Sequence, residues 1–304
     1  EGLWEKVESR DGSAPVERHE AAFVGVGDLF CLIGGRGMKP TSIYDAKSGR
    51  WTNGDPPPIE MHHFQPVVYQ DKVYIMGALT GGYPGETPIE NIYIYAPKKA
   101  TWQKGPEIPA DRRSGGAGAV LYKDRIYLVC GIRDGHRGDH KNWLDVFDPK
   151  TGKWETLPDA PRARDHFQAV VAKDQLYVLG GRRSTAAGNP LSGAIAEVDV
   201  YDFKSKTWKT LDQPLPTLRA GNFAILFNNE ILVMGGESPT QEAAHAETEA
   251  LNLDNHQWRT LAPMLRGRHG TGVILDDNAL YVASGSGNRG GGPELNTMER
   301  FAFE

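Results

Sequence analysis

The stretch "DHFQAVVAKDQLYVLGGRRS", residues 165–184, decides the fold. An apolar run from Phe167 to Ala172 meets a charged turn at Lys173-Asp174, and a second run, Leu176 to Leu179, ends at Gly180-Gly181. Two strand-forming runs flanking a short polar turn read as a tight β-hairpin, stopped by the glycines and by Arg182 and Arg183. The phrase recurs as "FVGVGDLFCLIGG" (23–35), "PVVYQDKVYIMGA" (66–78), "AVLYKDRIYLVCG" (119–131), "AILFNNEILVMGG" (224–236) and "GVILDDNALYVASG" (272–285). After a variable stretch a second phrase follows in five of the six units, as in "DVFDPKTGKW" (145–154) and "DVYDFKSKTW" (199–208). An aromatic precedes the tryptophan by seven residues at Tyr44–Trp51, Tyr95–Trp102, Phe147–Trp154 and Tyr201–Trp208, with Leu251 in that place before Trp258. This too is a hairpin, so each unit holds four short strands, a to d.

The tryptophans set the period. Trp51, Trp102, Trp154, Trp208 and Trp258 are spaced by 51, 52, 54 and 50 residues. The sixth unit has strands a, b and c ("NTMERFAF") but ends before its tryptophan, while "GLWEKVES" at the other terminus supplies Trp4. Counted through the termini, Trp258 to Trp4 is again 50 residues. The chain closes on itself.

This period, with four strands per unit and a Gly-Gly mark, resembles the kelch repeat across essentially the whole chain. The resemblance implies an all-β, six-bladed β-propeller closed by the N-terminal strand pairing into the last blade. Residues 1–17 would form the closing strand and a linker. The blades would span about 18–59, 60–110, 111–161, 162–216, 217–265 and 266–304 plus 1–8 of one domain, 1–304. A single 50-residue unit cannot cover both faces of its sheet, whereas a closed ring covers each face with a neighbour. Gly-Gly survives at Gly34-Gly35, Gly180-Gly181 and Gly235-Gly236 and decays to Gly77-Ala78, Cys130-Gly131 and Ser284-Gly285.

Composition narrows the function classes. A net charge of −5 argues against a nucleic-acid electrostatic role, and no apolar run approaches the length of a membrane span. Cys31 and Cys130, the two cysteines, sit in strands and read as small buried residues. The chain opens at Glu1, which leaves room for a trimmed leader, and the expected compartment is periplasmic or extracellular. No phosphate-loop, nucleophile-elbow or dinucleotide motif is present. Copper-radical kelch oxidases carry a Tyr-His pair, which is absent. Iron-binding kelch proteins carry Glu-x3-Asp-x3-His, and the run from Glu155 through Asp159 meets Ala163 instead. No cofactor and no metal are expected, and a monomer is expected.

Short a–b and c–d turns share one end of a blade, while long b–c loops and d–a connections share the other, the usual seat of function. Eight of the nine histidines and most arginines fall at the loop end, whereas the lysines gather in the short turns. Arginine offers a planar fork suited to carboxylate or sulfate. The predicted binding set is Arg18, His63, Arg113, Arg133, His136, Arg137, His140, Arg164, Arg182, Arg219, Arg268 and His269, with Trp143 as a sugar-stacking candidate. The expected ligand is an anionic saccharide of uronic or sialic acid type, or another anionic small molecule. His166 or Glu237 would act as acid or base. Sialic acid mutarotases are among the bacterial kelch propellers that the chain resembles. Glu237 matches their Gly-Glu on blade five, while Ala243 stands where they carry Arg. β-Elimination of a uronate, with Arg113 or Arg164 neutralising the carboxylate and a His or Tyr83 as base, would use the same parts. The alternative is a non-catalytic propeller that captures an acidic peptide.

Overall fold

The computed structural model describes residues 2–303, which leaves Glu1 and Glu304 of the expected last blade outside the described residues. Six four-stranded antiparallel sheets form the molecule. Blade 1 comprises Ala21–Val26, Leu29–Gly34, Thr41–Asp45 and Arg50–Gly54. Blade 4, built from the opening stretch, comprises Gln168–Ala172, Gln175–Leu179, Asp199–Asp202 and Thr207–Thr210. The innermost strands touch one another in sequence round the ring, including the first against the sixth, so the propeller is closed. Among the described residues no helix is long and apolar enough to cross a membrane.

Closure occurs as the tryptophan period predicts. Trp4–Val7 pairs antiparallel with Met298–Ala302, placing Trp4 opposite Phe301. The ring centroids lie 5.3 Å apart, and the indole N–H donates to the Ala262 carbonyl at 3.0 Å. The seven-residue spacing between aromatic and tryptophan is therefore a cross-strand pair: Tyr44 faces Trp51, and Tyr201 faces Trp208. Such pairs stabilise a two-strand register by packing ring on ring.

The decay of the Gly-Gly mark has a backbone reading. The first residue of each pair has positive φ, including Cys130 at 61° and Ser284 at 60°. In blade 4 the second glycine is forced by space, because a Cβ on Gly181 would lie 2.6 Å from the Asp165 carbonyl oxygen. Blade 2 departs from the pattern with an added hairpin, Leu79–Thr80 paired with Thr87–Pro88. It overhangs the loop end and carries Tyr83 and Glu86.

Candidate functional site

One residue at the entry to each innermost strand adopts positive φ: Glu20 (56°), His63 (55°), Gly116 (61°), His166 (57°), Gly221 (69°) and Gly270 (71°). Their backbones join into a hoop. His63 N donates to Glu20 O at 3.0 Å, Gly116 N to His63 O at 2.8 Å, and His166 N to Gly116 O at 3.2 Å. Gly221 N, Gly270 N and Ala21 N continue it to His166, Gly221 and Gly270 carbonyls at 2.7, 3.0 and 3.0 Å. Glycine adopts this conformation freely, whereas residues with a Cβ are held there at a cost of roughly 1–2 kcal/mol. Three blades accept that cost and place Glu20, His63 and His166 at the floor of a cavity of about 900 Å³.

The floor is one continuous polar circuit. His136 Nε2 lies 3.3 Å from His166 Nε2, and Arg182 Nη2 lies 3.3 Å from the same nitrogen. Arg182 Nη1 donates to Glu237 Oε1 at 2.9 Å, and Glu237 Oε2 lies 3.1 Å from His269 Nε2. His269 Nδ1 is 3.3 Å from Glu20 Oε1, and Glu20 Oε2 is 3.5 Å from His63 Nε2. Behind this circuit, Asp165 meets His166 Nδ1 at 2.5 Å and Glu86 meets His136 Nδ1 at 2.7 Å. Arg36, Tyr83 and Arg289 line the walls above the floor.

Burial and neighbouring charge divide the histidines. Burial and then the Arg182 cation lower His166, outweighing Asp165, so its ring is neutral near pH 7. Burial likewise lowers His63 well below the ordinary value and takes His62 to about 4. At His269 burial opposes the charge, but Glu237 and Glu20 outweigh it and hold the imidazolium up to about 9. Among the described residues, two groups place potential metal donors within 4.8 Å of one another, His63/His136/His166 and Glu20/Glu237/His269. The second is satisfied internally by the charge on His269.

The structure brings together six of the predicted site residues in the cavity: His63, His136, His166, Arg182, Glu237 and His269. Four arginines must be reassigned. Arg18, Arg164, Arg219 and Arg268 are wholly buried inside their own blades and do not reach the cavity. Each donates to the carbonyl sixteen residues later, at Gly34, Gly180, Gly235 and Ser284. Three also pair with an acid of strand c: Arg164 with Asp199 at 2.7 Å, Arg268 with Glu299 at 2.6 Å, and Arg219 with Glu249. They staple three segments of one blade, which is why they recur.

The remaining predicted residues also lie off the cavity wall. Arg113 donates to the Ile108 carbonyl at 2.8 Å, and Arg133 sits over Trp143 at 5.6 Å. Trp143 itself is taken by Arg112 at 4.4 Å and so offers no face to a sugar in the cavity. The Arg137 guanidinium covers Gly85, and His140 Nε2 meets the Ser184 carbonyl at 2.7 Å. His63, His136 and His166 come from three blades and lie far apart in sequence, so no local spacing marks them as a group. Glu20, Arg36 and Glu86 are site residues missing from the predicted set. Glu20 occupies the hoop position of blade 1, and that repeat position is the signal that would have found it.

The family described as the KLHDC2/KLHL20/DRC7 Kelch-repeats domain matches residues 1–181 and 116–304, which together span the chain. The chain belongs to the kelch-repeat family. This kelch propeller is 28% identical to Kelch-like protein terF of Aspergillus terreus over 89% of its own length and 61% of that protein. It is 23% identical to human Kelch-like protein 23 over 84% of its length and 43% of that protein. The propeller thus spans about half the length of these curated relatives. The solved structure of YjhT superimposes with a TM-score of 0.77 at 15% identity, covering 94% of this chain and 95% of that one, a likeness of fold.

Proposed function

We propose that this kelch propeller binds a small carboxylated molecule, an anionic saccharide of uronic or sialic acid type, in the loop-end cavity. One observation carries the reading: three arginines line the cavity, Arg36 paired with Glu86 at 2.6 Å, Arg182 with Glu237 at 2.9 Å, and Arg289 at the wall, and His269 adds a charge held up to about 9. A volume of about 900 Å³ suits a mono- or disaccharide. Arg182 is the anchor, fixed by Ser184 through Nε at 2.9 Å and by Glu237 through Nη1. Fixed donors lose little entropy when an anion arrives. Charged His269 and ionised Glu237 supply a proton donor and acceptor 3.1 Å apart, the pair that ring opening or elimination next to a carboxylate requires.

The test is calorimetric titration with acidic saccharides and their neutral analogues, at low and moderate salt. Acidic sugars alone should bind, more weakly as salt rises, and a new product should form only when Glu237 is intact. Equal binding of neutral and acidic sugars would sink the reading. The kelch relatives favour a second one, an acidic peptide whose carboxylate enters the same cavity. Binding of such a peptide with no response to sugars would select it.

A further inference from the structure

We infer that His63, His136 and His166 form a binding site for one divalent first-row transition metal, of the zinc type, at the cavity floor. One ligand nitrogen from each ring lies within 4.8 Å of the others, and all three side chains are buried. His136 Nε2 and His166 Nε2 are 3.3 Å apart. Two nitrogens bound tetrahedrally at about 2.0–2.1 Å from zinc stand roughly 3.3 Å apart.

Tautomers supply the independent argument. His62 Nε2 lies 2.9 Å from the Gly81 carbonyl, which can only accept, so His62 carries its proton there. Its Nδ1 is then an acceptor, and His63 Nδ1, 2.5 Å away, must donate to it. That leaves the lone pair of His63 on Nε2, which the Glu20 carboxylate also approaches, at 3.5 Å. Asp165 at 2.5 Å and Glu86 at 2.7 Å hold the Nδ1 protons of His166 and His136 in the same way. The three Nε2 atoms therefore turn toward one another, and a metal ion would take the place of any proton that His136 and His166 share across their 3.3 Å contact. A carboxylate or equivalent acceptor behind each ligating imidazole is the arrangement that orients histidines on a metal. Three imidazole nitrogens select zinc, cobalt or nickel over magnesium or calcium, which require oxygen.

Arg182 Nη2 also reaches His166 Nε2, at 3.3 Å. This N–H points at the His166 lone pair, so a bound cation would displace that one contact; Glu237 and Ser184 hold the rest of the guanidinium, which would stay beside the fourth coordination position and favour an anion there. That position opens on the cavity, the pattern of a reactive rather than a purely structural metal.

The test needs no saccharide, so its outcome is separate from that of anion binding. The full chain is stripped with chelator and dialysed against zinc or cobalt, with bound metal measured by mass spectrometry and cobalt by visible absorption. One metal per chain is expected, with the intense visible bands of tetrahedral cobalt, unaffected by excess magnesium. His136→Ala, whose ring comes from a loop, should lose at least a hundredfold in affinity while near-ultraviolet circular dichroism confirms a folded chain. Glu86→Gln, which keeps the ligand set, should lose roughly ten- to a hundredfold. Absence of stoichiometric metal at micromolar concentration, or full binding by folded His136→Ala, overturns the inference.

Discussion

The guanidinium of Arg164 lies 2.7 Å from the Asp199 carboxylate, and neither side chain meets water. An arginine next to the proposed site in sequence is thus spent on its own blade. Arg164→Ala strips Asp199 of one partner in a desolvated setting, and removing one member of such a pair costs roughly 3–5 kcal/mol. Arg162 Nε remains 2.9 Å from Asp199, so the loss should fall near the lower end. Urea unfolding should show this loss, while saccharide affinity of the folded protein stays unchanged. Lys153→Ala, exposed at the opposite end, should change neither. A stable Arg164→Ala protein that had lost its ligand would return this arginine to the site.

The contrast between Arg164 and Arg182 shows what the sequence made legible. Blade number, strand order and ring closure were readable because each is repeated: the tryptophan period and its cross-strand partner appear in every unit. Arg18, Arg164, Arg219 and Arg268 are repeated too, each sixteen residues before the first residue of the glycine pair, and recurrence in a repeat protein marks a role in the fold. The site instead draws on residues that break the repeat. His63 and His166 stand where other blades carry Gly116, Gly221 and Gly270, and Glu86 comes from a hairpin that, among the described residues, only blade 2 has. Sorting charges by blade end placed both kinds together, because end alone does not say whether a side chain turns into its blade or into the channel. The hydrogen bonds between blades make that distinction, and they are not written in local pattern.

Arg182 is the sharper test of anion capture. Its fork meets Ser184, Glu237 and His166 together. Arg182→Lys keeps a charge but cannot span these partners, and a charge-assisted contact is worth roughly 1.5–3 kcal/mol. Affinity for a carboxylated sugar should drop by about tenfold or more, measured by calorimetry, with affinity for a neutral analogue unchanged. Wild-type affinity in Arg182→Lys would remove this residue as the anchor.

Ring closure rests on the strand Trp4–Val7. Deleting residues 1–7 removes Trp4 from Phe301 and from the Ala262 carbonyl, and exposes the edge of Met298–Ala302. An uncovered apolar edge pairs with other chains. The truncated chain should aggregate or unfold over a broad range of urea, seen by light scattering and circular dichroism. A truncated protein with the cooperative transition of the full chain would show that closure does not depend on this strand.

Stability should also depend on pH through His269. Its folded value is held up to about 9, against an ordinary value near 6.5, because Glu237 and Glu20 outweigh the cost of burial. A group raised on folding contributes fully below its unfolded value and loses that contribution as pH rises through its folded value. The stabilisation by His269 is therefore complete below pH 6.5 and fades between pH 6.5 and 9. The imidazoles that burial lowers are neutral in both folded and unfolded chains across most of this window, so they add little slope of their own. In urea titrations of the metal-free protein, wild type should lose stability from pH 6.5 to 9.5 more steeply than His269→Gln. The variant should be the less stable of the two at pH 6.5, and the gap should narrow toward pH 9.5. Parallel curves across that range would mean that His269 carries no charge in the folded protein, and the circuit of Arg182, Glu237, His269 and Glu20 would then lack the cation on which the proton-donor role rests.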